Sequence, residues 1–159
     1  MKAAFPGSFD PPTLGHLNVI QRSTAVFDEI VVIIAENRQK EYLFTVEERV
    51  KLISAMVKPW KNVSVAFCRG LMVEFLKEHG IPLIIRGVRG EGDFSYEFEL
   101  SMMNRALAPE IETVFFTTDP KFCMVRSSVI RELAYFGGDV SAMVPPEVNR
   151  ALKKITEAP

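Results

Sequence analysis

The chain contains few of the features that mark specialised protein classes. Its 159 residues include two cysteines, Cys68 and Cys123, whose separation excludes a C-x-x-C motif, so we expect unpaired thiols and a cytoplasmic location. The longest apolar runs, Ile30–Ala35 and Ile81–Ile85, are far shorter than the roughly 20 residues that span a membrane, and the first residues do not resemble a secretory signal. The formal net charge of −1 provides no overall basic field. We therefore expect neither a membrane nor a nucleic-acid partner.

Short apolar segments alternate with helical patterns along the chain. Their apolar residues fall on both alternating faces, as in the strands of a parallel sheet that is covered on both sides. The resulting order, β-α-β-α-β-α-β-α-β-α-α, predicts one α/β domain over residues 1–159, with a Rossmann-like, doubly wound sheet of five parallel strands and flanking helices. The predicted strands are Lys2–Pro6, Ile30–Ala35, Val63–Phe67, Leu83–Arg86 and Thr113–Thr117.

Capping residues mark several helix ends. Thr45-Val46-Glu47-Glu48 is a capping box and predicts a helix start. Gly80 and Gly137 follow helical patterns and are typical of helix C-termini. An apolar stripe at helical spacing is formed by Phe94, Phe98, Met102 and Ala106. We interpret the Met102-Met103 pair most simply as part of the core.

The clearest motif follows the first predicted strand, and ligands of a doubly wound sheet bind beyond the carboxyl ends of its strands. Thr13-Leu14-Gly15-His16 lies at a helix start, where unpaired N–H groups and the helix dipole favour a phosphate. His16 either donates to that phosphate or caps and packs the helix, and the residue alone does not decide. Ser8 in isolation is better explained as a turn hydroxyl. The segment contains neither G-x-G-x-x-G nor a P-loop motif.

Basic residues follow the other strand ends. In isolation Lys40 is a charged loop residue, Ser127 and Ser128 are helix N-caps, and Gly90-Glu91-Gly92 predicts a flexible loop. Arginine forks suit phosphate oxygens. No Cys/His cluster for zinc is visible, so we expect no metal held by the protein, and Mg²⁺ would enter with substrate phosphates. Together the cations predict a polyanionic ligand such as a nucleoside triphosphate; they are Lys40, Arg86, Arg89, Lys121 and Arg126.

Several motifs together resemble one family. Pro6-Gly7-Ser8-Phe9-Asp10-Pro11, followed by Thr13-x-Gly15-His16, is similar to the opening signature of the T/HxGH nucleotidylyltransferases. Later motifs, in the family's order, resemble the bacterial phosphopantetheine adenylyltransferases over essentially the whole chain. These motifs are Phe44-Thr45-x-Glu47-Glu48-Arg49, Arg86-Gly87-Val88-Arg89, Asp93-Phe94-x-Tyr96-Glu97, Met103-Asn104-Arg105, Glu112-Thr113-Val114-Phe115 and Gly137-Gly138-Asp139-Val140.

The resemblance implies an enzyme of coenzyme A synthesis that transfers the adenylyl group of ATP to 4′-phosphopantetheine, with Mg²⁺ bound through the substrate phosphates. By matched position, His16 would stabilise the transition state at the α-phosphate and Ser8 would contact the reacting phosphates. Lys40 and Arg86 would hold the phosphate of phosphopantetheine. The family also implies a homo-hexamer. The residues implied to bind ATP are Ser8, Phe9, His16, Gly87, Val88, Arg89, Glu97, Phe122, Cys123, Met124, Val125, Arg126, Ser127 and Ser128.

Contacts to the pantetheine arm separate this interpretation from its alternatives. The resemblance implies that Met72 and Asn104 contact that arm, and an apolar slot is expected near Leu71, Met72 and Met102. An enzyme with the same signature but another acceptor, such as glycerol 3-phosphate or nicotinamide mononucleotide, would not use such a slot. The other alternative is a nucleotide-sensing module without catalysis. Arg126, which departs from the family's serine-rich pattern, either pairs with a β- or γ-phosphate or faces solvent.

Overall fold

A sheet of five parallel strands organises the computed structural model, which describes residues 1–37 and 39–156. All five predicted strands are confirmed, and each is longer than predicted by one residue, or by two at the fourth. Arg38, close to Lys40, and the end of the predicted domain, 157–159, lie outside the described residues. The strand order is β3-β2-β1-β4-β5, with bounds Lys2–Gly7 (β1), Glu29–Ala35 (β2), Val63–Cys68 (β3), Leu83–Val88 (β4) and Glu112–Thr117 (β5).

In the described residues, six α-helices complete the predicted order of elements. Because β1 lies between β2 and β4, the crossovers from β1 to β3 and from β4 to β5 run in opposite directions, and the loops after β1 and β4 border a crevice. Within the described ranges, every helix is too short or too polar to cross a bilayer. The helices are Leu14–Ser23 (α1), Val46–Val57 (α2), Met72–Glu78 (α3), Glu91–Leu107 (α4), Ser127–Tyr135 (α5) and Pro146–Thr156 (α6), with a short 3-10 turn at Pro120–Phe122.

Alternating strand residues build two cores on opposite faces of the sheet. On β2, Ile30, Val32 and Ile34 pack into one core, whereas Val31 and Ile33 pack into the other. Each of these five side chains is at most 7% exposed. The continuous apolar run of β2 is therefore required because helices cover both faces of the sheet.

The helix ends follow the sequence signals. The Thr45 hydroxyl accepts the Glu48 backbone N–H at 3.2 Å, and the Glu48 carboxylate accepts the Thr45 N–H at 2.9 Å, which confirms the capping box of α2. Gly80 and Gly137 have φ angles of +61° and +75°. This left-handed conformation is typical of a glycine just after a helix, where a side chain would be strained.

Helix α4 is exposed along the stripe that the sequence assigns to the core. The interpretation of Met102 and Met103 as core residues is wrong, because they are 54% and 62% exposed. Phe94 and Phe98 are also exposed, and Glu97 is the buried residue of this helix. The reason is the place of α4 beside β4 and β5, at the edge of the sheet. No further strand extends beyond β5 in the described chain to cover the stripe.

Candidate active site

A capping box fixes His16 at the start of α1. The His16 backbone N–H donates to the Thr13 hydroxyl at 3.2 Å, and His16 Nδ1 accepts the Thr13 backbone N–H at 3.1 Å. Because Nδ1 is the acceptor, the neutral imidazole carries its proton on Nε2. His16 therefore caps the helix and still keeps an N–H donor for a ligand. The two interpretations that the sequence leaves open are compatible.

The surroundings of His16 keep its imidazole neutral. Burial, together with the positive charges of Arg89 and Arg86, lowers the pKa of His16 from 6.5 to about 4. At neutral pH the ring can donate its Nε2 hydrogen to an anion without carrying a charge. Phosphates bound beside the ring would offset the arginine charges and raise this pKa.

This pKa predicts a loss of stability on mild acidification. Unfolded His16 takes up a proton below pH 6.5, whereas folded His16 stays neutral until about pH 4, so stability present at neutral pH is lost as the pH falls. Between about pH 7 and pH 5 we expect a decrease of roughly 2 kcal/mol in the free energy of unfolding from this residue. Urea unfolding of the ligand-free protein at both pH values measures it. His16→Gln, which keeps a capping acceptor but does not titrate, is the control, and equal pH dependence of the two proteins would contradict the prediction.

The ring of Phe9 packs against His16. Phe9 has a φ of +49°, in the left-handed region, and is 2% exposed. Its ring meets His16 edge-on, with 4.9 Å between the centroids, and meets Phe5 at 5.6 Å. The turn after β1 thus places the Phe9 ring in the core. This contact supports a role for Phe9 in orienting the imidazole of His16.

His16 and Ser8 lie where two cavities meet. The first, here called the β4 cavity, has a volume of about 460 Å³ and contains Arg86 and Arg89 in its wall. The second, here called the Lys40 cavity, also has a volume of about 460 Å³ and is lined by Lys40, among others. Two ligands, one in each cavity, would meet beside His16. Five residues line both cavities: Ser8, Phe9, His16, Ser127 and Ser128.

Carboxylates hold Arg86, near the end of β4, and Arg89, just after it. Arg86 donates from Nε and Nη2 to the two carboxylate oxygens of Glu97, at 2.6 and 2.5 Å, and from Nη1 to the Pro6 carbonyl at 3.0 Å. Arg89 donates from Nη2 to Asp93 at 2.9 Å. Glu97 lines the β4 cavity, with both of its oxygens engaged by Arg86. One hydrogen on each terminal nitrogen of Arg86 remains for a phosphate oxygen.

Asp93 belongs to the first turn of α4, so the expectation of a flexible loop before it is wrong. Gly90 is the N-cap residue of α4, and Gly92 is already helical. Burial alone would raise the pKa of Asp93, but the hydrogen bonds and charge of Arg89, with a contribution from Arg126, hold that pKa below its ordinary value. The Arg89–Asp93 pair therefore stays ionised at neutral pH in the wall of the β4 cavity.

Two cations of the cavity walls lack an ion-pair partner among the described residues: Lys40 in the Lys40 cavity and Arg126 in the β4 cavity. Both residues are exposed. Their charges are thus available to a polyanion. Lys121, by contrast, pairs with Asp119 at 3.6 Å and lines neither cavity.

The serines at the start of α5 do not cap it. The N-cap residue is Arg126, one position earlier than expected, and its side chain makes no capping bond. The Ser127 hydroxyl donates to the Pro11 carbonyl at 2.8 Å and ties α5 to the loop after β1. Ser128 is exposed. The N-cap prediction for Ser127 and Ser128 is therefore wrong, and both serines instead line the two cavities.

The segment before α5 lies only partly in the β4 cavity. Phe122 and Val125 line it, as does Gly87 from β4. Met124 is 84% exposed and, like Cys123, is not in the wall of either cavity. Val88 is buried within β4 and lies outside both walls as well.

The residues expected around pantetheine are not in the walls of the two cavities around His16. Met72 is half-buried at the start of α3 and packs against the core on one face of the sheet. Asn104 is half-buried in α4. Leu71 is 51% exposed, and Met102 lines a separate small cavity beside β5. Among the described residues, the cavities around His16 therefore include no apolar slot formed by Leu71, Met72 and Met102.

Sequence reasoning missed three residues that hold the site together. Arg49 is fully buried in α2, donates to the Ser8 carbonyl at 2.9 Å and stacks on Tyr42 with 4.0 Å between guanidinium and ring. Its position on the apolar face of α2 is a signal that could have identified it. Asp10 belongs to the opening signature Pro6–Pro11, but its pairing with Arg131, at 3.1 Å across 121 positions of sequence, had no local signal.

In residues 1–37 and 39–156, no group of three His, Cys, Asp or Glu side chains is placed to bind a metal ion. The carboxylates beside the β4 cavity, Asp93 and Glu97, are paired with Arg89 and Arg86. Mg²⁺ is commonly bound through substrate phosphates. This donor set fits Mg²⁺ that is carried by a phosphate ligand.

Comparisons with known sequences show the family to which the chain belongs. A family model described as cytidylyltransferase-like matches residues 4–133. A phosphopantetheine adenylyltransferase from Thermotoga neapolitana is 48% identical, covering 96% of this chain and 94% of its own. Relatives of the same name from Clostridium tetani and Desulforudis audaxviator are 48% and 46% identical, covering 92% and 95% of this chain and 91% and 93% of theirs.

Comparisons with solved structures support the fold. A Vibrio parahaemolyticus protein, provisionally named as a nicotinate-nucleotide adenylyltransferase, has a TM-score of 0.71 at 20% identity, covering 99% of this chain and 96% of its own. A lipopolysaccharide core biosynthesis protein from Thermoplasma volcanium has a TM-score of 0.53 at 26% identity, covering 75% and 96%. The first likeness shows the fold alone, whereas the sequence relatives show the family. The chain belongs to the phosphopantetheine adenylyltransferase family of cytidylyltransferase-like proteins.

Proposed function

We propose that this protein transfers the adenylyl group of ATP to 4′-phosphopantetheine, forming dephospho-coenzyme A and pyrophosphate. The observation that carries the proposal is the place of His16, a neutral donor at the junction of two cavities that both contain basic side chains. A transfer between two phosphate compounds needs such a junction. The relatives named phosphopantetheine adenylyltransferase, at 46–48% identity, favour this acceptor over others.

The reaction is a direct displacement. A phosphate oxygen of phosphopantetheine attacks the α-phosphorus of ATP, and a new P–O bond forms while the bond to the β-phosphate oxygen breaks. Pyrophosphate leaves with the electron pair of that bond. Since no covalent intermediate on the protein is needed, the residues contribute positioning and charge stabilisation.

Each residue at the junction has a distinct role in this proposal. His16 donates its Nε2 hydrogen to an α-phosphate oxygen, where negative charge grows in the transition state. Ser8 contacts the reacting phosphates at the same point. Lys40 and Arg86 approach from the two cavities and hold the acceptor phosphate. Arg89 and Arg126, in the wall of the β4 cavity, hold the triphosphate.

Mg²⁺ is proposed to arrive on the ATP phosphates, because Asp93 and Glu97 are occupied by arginines. When bound, it neutralises phosphate charge during the transfer. We also propose a cytoplasmic location, which the two free cysteines support.

The proposal is tested by incubating the protein with ATP, Mg²⁺ and 4′-phosphopantetheine while pyrophosphate and dephospho-coenzyme A are quantified together. We expect equal amounts of both. With glycerol 3-phosphate or nicotinamide mononucleotide in place of phosphopantetheine, we expect no release of pyrophosphate. Turnover with one of those acceptors alone would identify a sister enzyme. ATP binding without pyrophosphate release would identify a nucleotide-sensing module and refute the transfer.

We further propose that the protein assembles as a homo-hexamer, with α4 in a subunit interface. The support is the large apolar area that α4 exposes, since patches of this kind mark interaction surfaces. Its position at the edge of the sheet leaves room for a second copy. The exposed apolar residues of α4 are Phe94, Tyr96, Phe98, Leu100, Met102, Met103 and Leu107.

Met103→Lys is expected to dissociate this assembly, because a charged side chain cannot be buried in an apolar interface without a partner. Light scattering after size exclusion measures the mass, which for the wild type should be about six times 17.9 kDa. Val26→Lys is the matched control, since Val26 and Met103 are both 62% exposed and Val26 lies outside α4. A wild-type mass equal to one chain would exclude the hexamer.

A further inference from the structure

Arg131 reaches from α5 into the Lys40 cavity. Its Nη1 donates to the Asp10 carboxylate at 3.1 Å and to the Glu41 carbonyl at 3.4 Å. The side chain is 39% exposed and lines the cavity together with Lys40 and His16. The guanidinium is therefore anchored at one edge and open to the cavity.

Asp10 makes this anchor rigid. Its side chain is 3% exposed, and its two carboxylate oxygens accept the backbone N–H groups of Leu43 and Phe44 at 2.8 and 2.9 Å. These bonds fix the carboxylate to the segment just before α2, and the fixed carboxylate holds Arg131. Because Nη1 alone is engaged, Nε and Nη2 keep three N–H donors for which the described residues provide no hydrogen-bond acceptor.

The remaining wall of the cavity also suits a phosphate group. Lys40 has no ion-pair partner among the described residues, and Ser128 and His16 add neutral donors. The carboxylate of Asp10 is already satisfied by three N–H groups. A cation held by a buried carboxylate loses little side-chain entropy when it binds an anion, which favours binding.

We propose that Arg131 is a further phosphate-binding residue of this site, oriented by Asp10. The inference rests on the proposed function, which supplies two candidate ligands with the same chemistry: the phosphate of the acceptor and the pyrophosphate that leaves. Arg131 would contact one of them, or each in turn, from the wall of the Lys40 cavity.

Calorimetry with Arg131→Gln tests this inference, using inorganic pyrophosphate, 4′-phosphopantetheine and adenosine as separate ligands. We expect the affinity for pyrophosphate, phosphopantetheine or both to fall about tenfold or more, since charged hydrogen bonds to phosphate are strong. The affinity for adenosine, which has no phosphate, should stay within about twofold. If only the affinity for pyrophosphate falls, Arg131 binds the leaving group. If only the affinity for phosphopantetheine falls, Arg131 binds the phosphate of the acceptor.

Two further variants separate binding from folding. Arg131→Lys keeps the charge but not the fork and should recover part of the affinity. Arg150→Gln removes an exposed arginine of α6, which lies 3.8 Å from Glu147, and should change none of the affinities. Unchanged affinity of Arg131→Gln for both phosphate ligands, or an equal loss of adenosine binding, would overturn the inference. Since these are binding measurements, they remain decisive for Arg131 even if the wild type shows no adenylyl transfer.

Discussion

His16→Ala is expected to lower kcat by about 10²–10³-fold while the fold remains intact. The reason is the loss of the Nε2 donor, because removal of one preorganised donor to a developing charge typically costs about 3–4 kcal/mol of barrier. The variant also loses the acceptor for the Thr13 N–H, which should lower the free energy of unfolding by about 1 kcal/mol. Initial rates with saturating ATP and phosphopantetheine, together with urea unfolding, measure both effects.

Thr45→Ala is the matched control for this stability loss. It removes the capping box of α2, outside both cavities, and should also cost about 1 kcal/mol of stability. Its kcat should nevertheless remain near the wild-type value. A kcat of His16→Ala close to that of Thr45→Ala would remove His16 from the proposed mechanism and leave it with a structural role in the cap.

Glu97→Gln is expected to destabilise the protein and weaken its use of phosphopantetheine. The side chains of Arg86 and Glu97 are 22% and 10% exposed, so a neutral partner leaves a largely buried guanidinium without its counter-charge. Breaking buried pairs costs up to 3–5 kcal/mol, and because glutamine keeps one acceptor we expect about 2–3 kcal/mol. With Arg86 no longer fixed, kcat/KM for phosphopantetheine should fall about tenfold or more.

The exposed pair of Arg105 and Glu112 provides the comparison. These side chains are 62% and 53% exposed and lie 3.2 Å apart, so Glu112→Gln should change stability by less than about 0.5 kcal/mol and leave the rates unaffected. If Glu97→Gln were as stable and as active as Glu112→Gln, the pair of Arg86 and Glu97 would not be what positions Arg86.

Local sequence signals determined much of this fold. The apolar run of β2 needs two covering layers of helices, and the order of short strands and helices then permits few topologies. The capping box at Thr45 and the glycines at positions 80 and 137 act within a few residues of chain, so their effects could be predicted. The placement of Lys40, Arg86 and Arg126 at one rim also follows from sequence, because parallel strands bring their carboxyl ends together.

Pairing and exposure were decided by the tertiary structure. Arg86 in β4 pairs with Glu97 in α4, and Asp10 in the loop after β1 pairs with Arg131 in α5. Such pairs depend on how the elements pack against one another. The apolar stripe of α4 has the same spacing whether it faces a core or a second subunit, so its exposure could not be read from periodicity. The neutral state of His16 also required the fold, because its pKa depends on burial and on two arginines that are more than sixty residues away in the chain.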